Sequence, residues 1–501
     1  MIRPLAIVAL LLASRAAADP DLLRFSNGDQ IHGEFTGMDA SGAIHWERPD
    51  VSDPIPFQRD KVRHIVLHSA RSLSPIDDPS HLTLIDGDRF PGRVISADES
   101  HITLATHAAG TLSFPRDAVA ALSPNPFGGR LIYAGPFDTR DWKVIHSDAT
   151  DANVDPFAES EPKPAKDPKE KDRPTWQHLG SSWVCGSGSD GLILDAAMPD
   201  RALLRFKLAW RSRPNISVAF HADLTQPESP KKVGKDADQP NPGRMQNAAE
   251  IFGSGYILNI QSGYANLQRT RFDAKGNPEV ERLRVGGTSI RLNDTGESVF
   301  EIRCDRHQGT IAVHVDGQFA VQWNTASDNA DVTERAASYQ AKGGGIGFQM
   351  LGNTGRVRIS DLVIAEWNGL TDSARSMESD DHDIVLLANG TDRFSGKVLA
   401  IRDEVISLRS PYSTLRIPTA DIAEIRFARK HRASPGEAST KQITVHLQPV
   451  GRISGTPVAS TKDRLQLETR HAGKIDLDLT PAVVVEFQSS GGFLDAWDES
   501  P

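Results

Sequence analysis

Nine residues in the middle of the chain have the side-chain types that hold a sugar: Trp210, Arg211, His221, Asp223, Tyr256, Asn259, Gln261, Tyr264 and Arg269. Aromatic faces stack on sugar rings, while amides, carboxylates and guanidinium groups fix hydroxyls. These residues sit in or beside short segments of alternating apolar and polar residues, the period of strands, so they converge only if those strands share a face. The competing fate of Trp210 and Tyr264 is burial in a core or at an edge, where aromatics usually go.

Chemistry for turnover is harder to find. The chain has no Gly-x-Ser-x-Gly elbow, no His-Glu-x-x-His and no Gly-x-x-x-x-Gly-Lys-Ser/Thr loop. Gly343 to Gly347 is glycine-rich but lacks the lysine and following helix of a phosphate cradle. The 16 histidines are scattered without ligand spacing, and Asp316 and Asp361 fit turns better than a Ca²⁺ site. No catalytic residue, metal site or cofactor is therefore assigned. The two cysteines, Cys185 and Cys304, either form one disulfide in an oxidising compartment or remain buried and unpaired.

The elements that must position these residues read as strands throughout residues 131–368, broken by polar stretches at 151–175 and 225–247 that have the composition of exposed loops. Many antiparallel strands over this length predict two packed sheets. Ser298 to Cys304, Gly309 to Gln318 with the turn Asp316-Gly317, and Val321 to Trp323 form a strand, hairpin, strand series; Gly343 to Phe348 and Val357 to Ile364 follow. This series resembles concanavalin A-like jelly rolls of the laminin-G and keto-disaccharide-hydrolase-like kind. The resemblance implies a sandwich and a sugar-related role. Jelly-roll glycanases carry Glu-x-Asp-x-x-Glu on one strand, a triplet absent here, and Gly255-Tyr256 is followed by Ile257, Leu258 and Asn259 where the keto-disaccharide-hydrolase-like family tends to carry a Glu.

Around this block one motif recurs. Asp88-Arg89-Phe90-Pro91-Gly92-Arg93-Val94 returns as Asp392-Arg393-Phe394-Ser395-Gly396-Lys397-Val398, with looser copies at Asn27 to Gly33 and Gly451 to Gly455. Each copy combines a hairpin turn, a second glycine inside a strand and about five short strands, the makings of a small bent barrel. Boundaries fall at 19–68, 80–124, 381–428 and 440–489. The copies resemble Sm-like and SH3-like barrels, without RNA-contacting positions. The expected fold is all-β: a central jelly-roll sandwich flanked on each side by a pair of small barrels.

Arg3, the apolar run Leu5 to Ala13 and Ala16-Ala17-Ala18 have the order of a signal peptide over residues 1–18. Its removal would take the formal charge from -10 to -12. Acidic charge argues against nucleic acid, and no membrane span is expected in the mature chain. The resulting expectation is an exported, periplasmic or extracellular binding or scaffold protein of the bacterial envelope. Its sandwich would recognise carbohydrate and its barrels contact envelope proteins. The alternative is a glycoside-processing hydrolase with an unrecognised acid pair.

Overall fold

The computed structural model describes residues 20–67, 78–146, 175–186, 190–225, 248–283, 296–326, 329–351, 356–367, 379–389, 392–434 and 441–487 except 28, 128 and 449, together with 290, 292, 293 and 369. The expected signal segment at 1–18 and most of the two polar stretches at 151–175 and 225–247 lie outside the described residues.

Each copy of the repeat is five antiparallel strands. Copy one comprises β1 (Asp21–Phe25), β2 (Gln30–Met38), β3 (Ile44–Glu47), β4 (Ile55–Phe57) and β5 (Val62–Val66). Copy two comprises β6 (His81–Leu84), β7 (Arg89–Ala97), β8 (His101–Thr106), β9 (Gly110–Pro115) and β10 (Val119–Ser123). The central block supplies β11 (Leu131–Gly135), β12 (Trp142–Ile145), β13 (Trp176–Leu179), β14 (Ser182–Cys185), β15 (Gly191–Asp195), β16 (Arg201–Arg211), β17 (Asn215–Ala222), α1 (Ala248–Phe252), β18 (Gly255–Gln261), β19 (Ala265–Phe272), β20 (Pro278–Arg282), β21 (Gly296–Asp305), β22 (Thr310–Val315), β23 (Gln318–Asn324), α2 (Val332–Ser338), β24 (Gly345–Met350) and β25 (Arg356–Glu366). Copy three is β26 (Asp383–Leu387), β27 (Arg393–Arg402), β28 (Val405–Arg409), β29 (Thr414–Pro418) and β30 (Ile422–Arg426); copy four is β31 (Ile443–Leu447), β32 (Gly451–Thr461), β33 (Arg464–Thr469), β34 (Gly473–Asp478) and β35 (Ala482–Glu486).

Within every copy the first strand pairs with the second and the fifth, the long second strand turns to pair with the third, and the third pairs with the fourth. The repeated in-strand glycine is explained by what faces it. A Cβ at Gly33, Gly92, Gly396 or Gly455 would lie 2.4, 2.3, 2.3 or 3.0 Å from the carbonyl oxygen of Glu47, Ala105, Arg409 or Glu468 on the neighbouring strand. Only glycine lets the two backbones approach that closely.

The copies do not pair with their sequence neighbours through their fifth strands; they pair across the central block. β5 of copy one lies against β35 of copy four (Ile65 opposite Val485), and β10 of copy two against β30 of copy three (Leu122 opposite Ile425). The second strands touch in the same combinations, β2 with β32 and β7 with β27, and β7 also pairs with β32, joining copy two to copy four. All four copies share one apolar core, from Leu23 through Phe90 and Val398 to Val485. They thus form one platform closed by the two ends of the chain.

The central block is a two-sheet sandwich. One sheet runs β13-β14-β25-β16-β21-β22-β23, with β11 also on β25; the other runs β12-β15-β24-β17-β18-β19-β20. Alternate residues such as Leu204, Phe206, Phe300, Val218, Leu258 and Phe348 fill the space between them. The outer side of the first sheet docks on the platform: Leu203, Val363 and Ala365 pack with Phe127 and with Val450 of copy four. Arg89 of copy two reaches Asp361 of β25 at 2.9 Å, and Ser181 donates to Glu486 of copy four at 3.2 Å. Against the cost of burial, the His446 and His64 side chains hold Glu486 down to about 2, and Arg89 and Lys207 hold Asp361 well below the ordinary carboxylate range.

Cys185 and Cys304 are both buried and neither is in a disulfide. They lie on β14 and β21, separated by β25 and β16 in the same sheet. Three strand steps of about 4.8 Å put them roughly 14 Å apart across the sheet alone, and by register Cys185 lies level with Gly296, a further eight residues along β21 from Cys304, so they are far beyond the reach of a disulfide. Of the two alternatives, one disulfide or two buried cysteines, the second is the one observed.

Candidate functional site

With its partner sheet on the platform, the second sheet turns its outer face away from the copies. Ile216, Val218 and Phe220 of β17, Tyr256, Leu258 and Ile260 of β18, Leu267 of β19 and Phe348 of β24 point into the core, so their sequence neighbours point out. One half of that outer face is apolar: Ile193, Ala219 and Ile257 are roofed by Ile251 and Phe252 of α1. Gly191 and Gly347 make room for the roof, since a Cβ there would meet Ile251 at 2.2 Å and Phe252 at 2.4 Å.

The other half is polar and in register. Gln349, Ser217, Asn259 and Asn266 stand opposite one another across β24, β17, β18 and β19. Ser217 Oγ donates to Asn259 Oδ1 at 2.6 Å, and Asn259 Nδ2 donates to Asn266 Oδ1 at 3.1 Å. The row spans roughly 14 Å at the ordinary strand spacing. One step along the strands lies a second row, Asn215, Gln261 and Tyr264. Asn215 Nδ2 donates to the Leu351 carbonyl at 2.6 Å, while its Oδ1 is buried with no hydrogen-bond partner among the described residues. Leaving a buried amide oxygen unmatched costs on the order of 1–3 kcal/mol. Tyr264 is 43% exposed at the rim, so its ring is open to contact.

The nine residues marked in the sequence do not form one site. Asn259, Gln261 and Tyr264 belong to the outer face just described. Trp210 is on the opposite sheet, 2% exposed in the core, with Nε1 donating to the Asn293 carbonyl at 2.9 Å. Arg211 follows it at the exposed end of β16. Tyr256 is fully buried against Phe220 and Tyr339, where burial raises its pKa. His221 would face outward by alternation, but a bulge with φ 47° turns it inward, 2.6 Å from the Tyr339 hydroxyl and 2.9 Å from the Pro199 carbonyl. Burial brings its pKa down to about 3, so it is neutral there. Asp223 caps a turn, accepting from the Thr225 and Ser254 amides at 3.0 and 2.9 Å. Arg269 sits at the end of the core, donating to the Ser338 carbonyl at 2.7 Å and pairing with Glu281.

Four contributors were missed: Asn215, Ser217, Asn266 and Gln349. The signal for them was present as single polar residues at alternate positions of apolar strands, as in Asn215-Ile216-Ser217-Val218 and Gly347-Phe348-Gln349-Met350. Among the described outward positions of this sheet, Asp195 is the only acid. No group of three or more metal-ligating side chains occurs among the described residues, and none of the described helices is long and apolar enough to cross a membrane.

No family model matches the chain, and no curated protein does. Solved structures align with part of it. A carbohydrate-binding module, CBM66, from Bacillus subtilis is 10% identical, with 39% of this chain and 88% of that one covered at a TM-score of 0.20. A Bacillus subtilis protein of unknown function with a galectin-like fold is 11% identical, with 48% and 96% covered at 0.26. A putative glycosyl hydrolase from Parabacteroides distasonis is 10% identical, with 38% and 90% covered at 0.25. At such scores these likenesses add nothing to the chemistry of the face itself.

Proposed function

We propose that the outer face of the second sheet binds carbohydrate without turning it over, and that the protein is an exported binding or scaffold component of the bacterial envelope. The amide and hydroxyl row Gln349-Ser217-Asn259-Asn266 carries the proposal. Gln349, Ser217 and Asn259 are buried, at 2%, 1% and 6% exposure, and fix the row from beneath, so a sugar would meet the half-buried Asn266 and Gln261 amides and the exposed Tyr264 ring, which offers a stacking surface.

Export is supported by the order of residues in the first 18 positions. The four copies, read as SH3-like barrels, would space the sandwich and offer contacts to envelope proteins. Hydrolysis by paired carboxylates needs two acids about 5–9 Å apart, and the described outward positions supply Asp195 alone. A glycan array probed with the full chain tests the proposal. Saturable binding to a defined saccharide with no release of reducing ends supports it; reducing ends appearing over time would replace it with the hydrolase alternative.

A further inference from the structure

Copies two and three meet along β10 and β30, and beside that seam they enclose an open cleft of about 290 Å³. Val94, Leu104 and Leu122 give it an apolar floor, while Asp78, His81 and Arg93 from one side and Glu404 from the other line its walls. The volume is roughly ten times a water molecule's share of the liquid, near the lower end of the range for ligand pockets.

The walls favour a hydrogen-bonding cation. His81 Nδ1 lies 3.0 Å from the Pro79 carbonyl oxygen, and burial lowers the pKa of its ring to about 4. A neutral ring that donates through Nδ1 presents Nε2 as an acceptor. Asp78 uses Oδ1 to accept the Ser80 amide at 3.0 Å; its Oδ2 stands 3.9 Å from His107, beyond hydrogen-bonding range. Glu404 stands with Asp403 in a turn where φ is 58° and 50°. Non-glycine residues hold that left-handed conformation at a cost on the order of 1–3 kcal/mol, and here the turn brings a carboxylate to the mouth of the cleft. The Glu404 carbonyl accepts the Thr419 amide at 2.8 Å, which fixes the turn against copy three. Arg93 is the one cation among the lining residues. Its Nη1 is 3.7 Å from Glu404 Oε1 with both side chains about 70% exposed, a loose pair that contributes little. Arg89, behind His81, is already engaged by Asp361.

We propose that this cleft binds a primary organic ammonium group, held between the Asp78 and Glu404 carboxylates with His81 Nε2 accepting a further N–H. The site exists only when copy two and copy three are joined, so it belongs to the platform and is independent of the sandwich face. Calorimetric titration of the full chain with 1,4-diaminobutane tests it, with tetramethylammonium and acetate as comparison ligands. The expected result is saturable diamine binding, with affinity lowered about tenfold or more by Glu404→Gln and by Asp78→Asn. Tetramethylammonium, a cation without N–H donors, should bind at least about tenfold more weakly, and acetate should not bind. Glu404 is exposed, so its variant leaves the fold intact even if Asp78→Asn does not. The proposal is overturned by absent diamine binding, by binding that Glu404→Gln leaves unchanged, or by acetate binding in its place.

Discussion

Replacing Asp88 with asparagine should stabilise the protein at neutral pH and do so progressively less in acid. Asp88 is 5% exposed at the contact between copies two and four, where its Oδ2 accepts the Ser454 amide at 2.9 Å. Burial, and then the neighbouring Asp86 carboxylate, raise its pKa from 3.8 to about 6, against the pull of Ser454 and Arg452. The folded state therefore binds this proton more tightly than the unfolded state does. Stability falls as pH rises between about 4 and 6, and the penalty is fully present above that window. A shift of this size corresponds to about 3 kcal/mol at 1.36 kcal/mol for each pH unit. Asparagine is uncharged and keeps an oxygen for the Ser454 amide, though its NH₂ needs a partner. The expected gain is about 1–3 kcal/mol at a pH of about 7.5, shrinking to about a third of that at about 4.5 and to nearly nothing only below about 3. Urea unfolding followed by fluorescence at both pH values measures it. A variant less stable than the parent at the higher pH, or a gain that does not shrink in acid, would refute the reasoning.

Further outcomes follow from other parts of the structure. Gly92→Ala places a Cβ 2.3 Å from the Ala105 carbonyl oxygen and should lower the thermal midpoint, costing roughly 1–3 kcal/mol or more; an unchanged midpoint contradicts the close-approach account of the repeated glycine. Thiol titration in denaturant without reductant should find both cysteines free, and finding none would restore the disulfide. Glu486→Gln should weaken the seam between sandwich and platform, because a carboxylate whose pKa is lowered from 4.5 to about 2 stabilises above its unfolded pKa and loses that contribution as pH falls through the lower value. Thermal unfolding of parent and variant should therefore differ near neutrality and converge toward pH 2; equal midpoints at neutral pH would count against it.

Much of the fold was legible because its causes are local. The alternation in Leu82 to Leu84 and Ile443 to Leu447, and the Asp86-Gly87 and Asp316-Gly317 turns, mark strands and hairpins from neighbouring residues alone. The pairing of copy one with copy four was not legible, since β5 and β35 are joined by matching apolar strands more than 400 residues apart and nothing in either motif names its partner. The site shows the same division. Asn259 and Gln261 follow from the period of β18, but Trp210 and Tyr256 were grouped with them by residue type when the pleat sends both inward. His221 escapes a period-based reading altogether, because the positive φ of the bulge reverses its direction. The cysteine distance, likewise, is a property of strand order and not of spacing along the chain.

The most direct test of the central claim is titration of a saccharide identified on the array into the parent protein and into Asn259→Ala and Tyr264→Ala variants. Asn259 ties the row together through Ser217 and Asn266, whereas Tyr264 is an exposed ring whose loss leaves the core untouched. The account predicts saturable binding by the parent and a loss of about tenfold or more in each variant. Absence of binding by the parent, or undiminished affinity in the Tyr264→Ala variant together with Asn259→Ala, would contradict it.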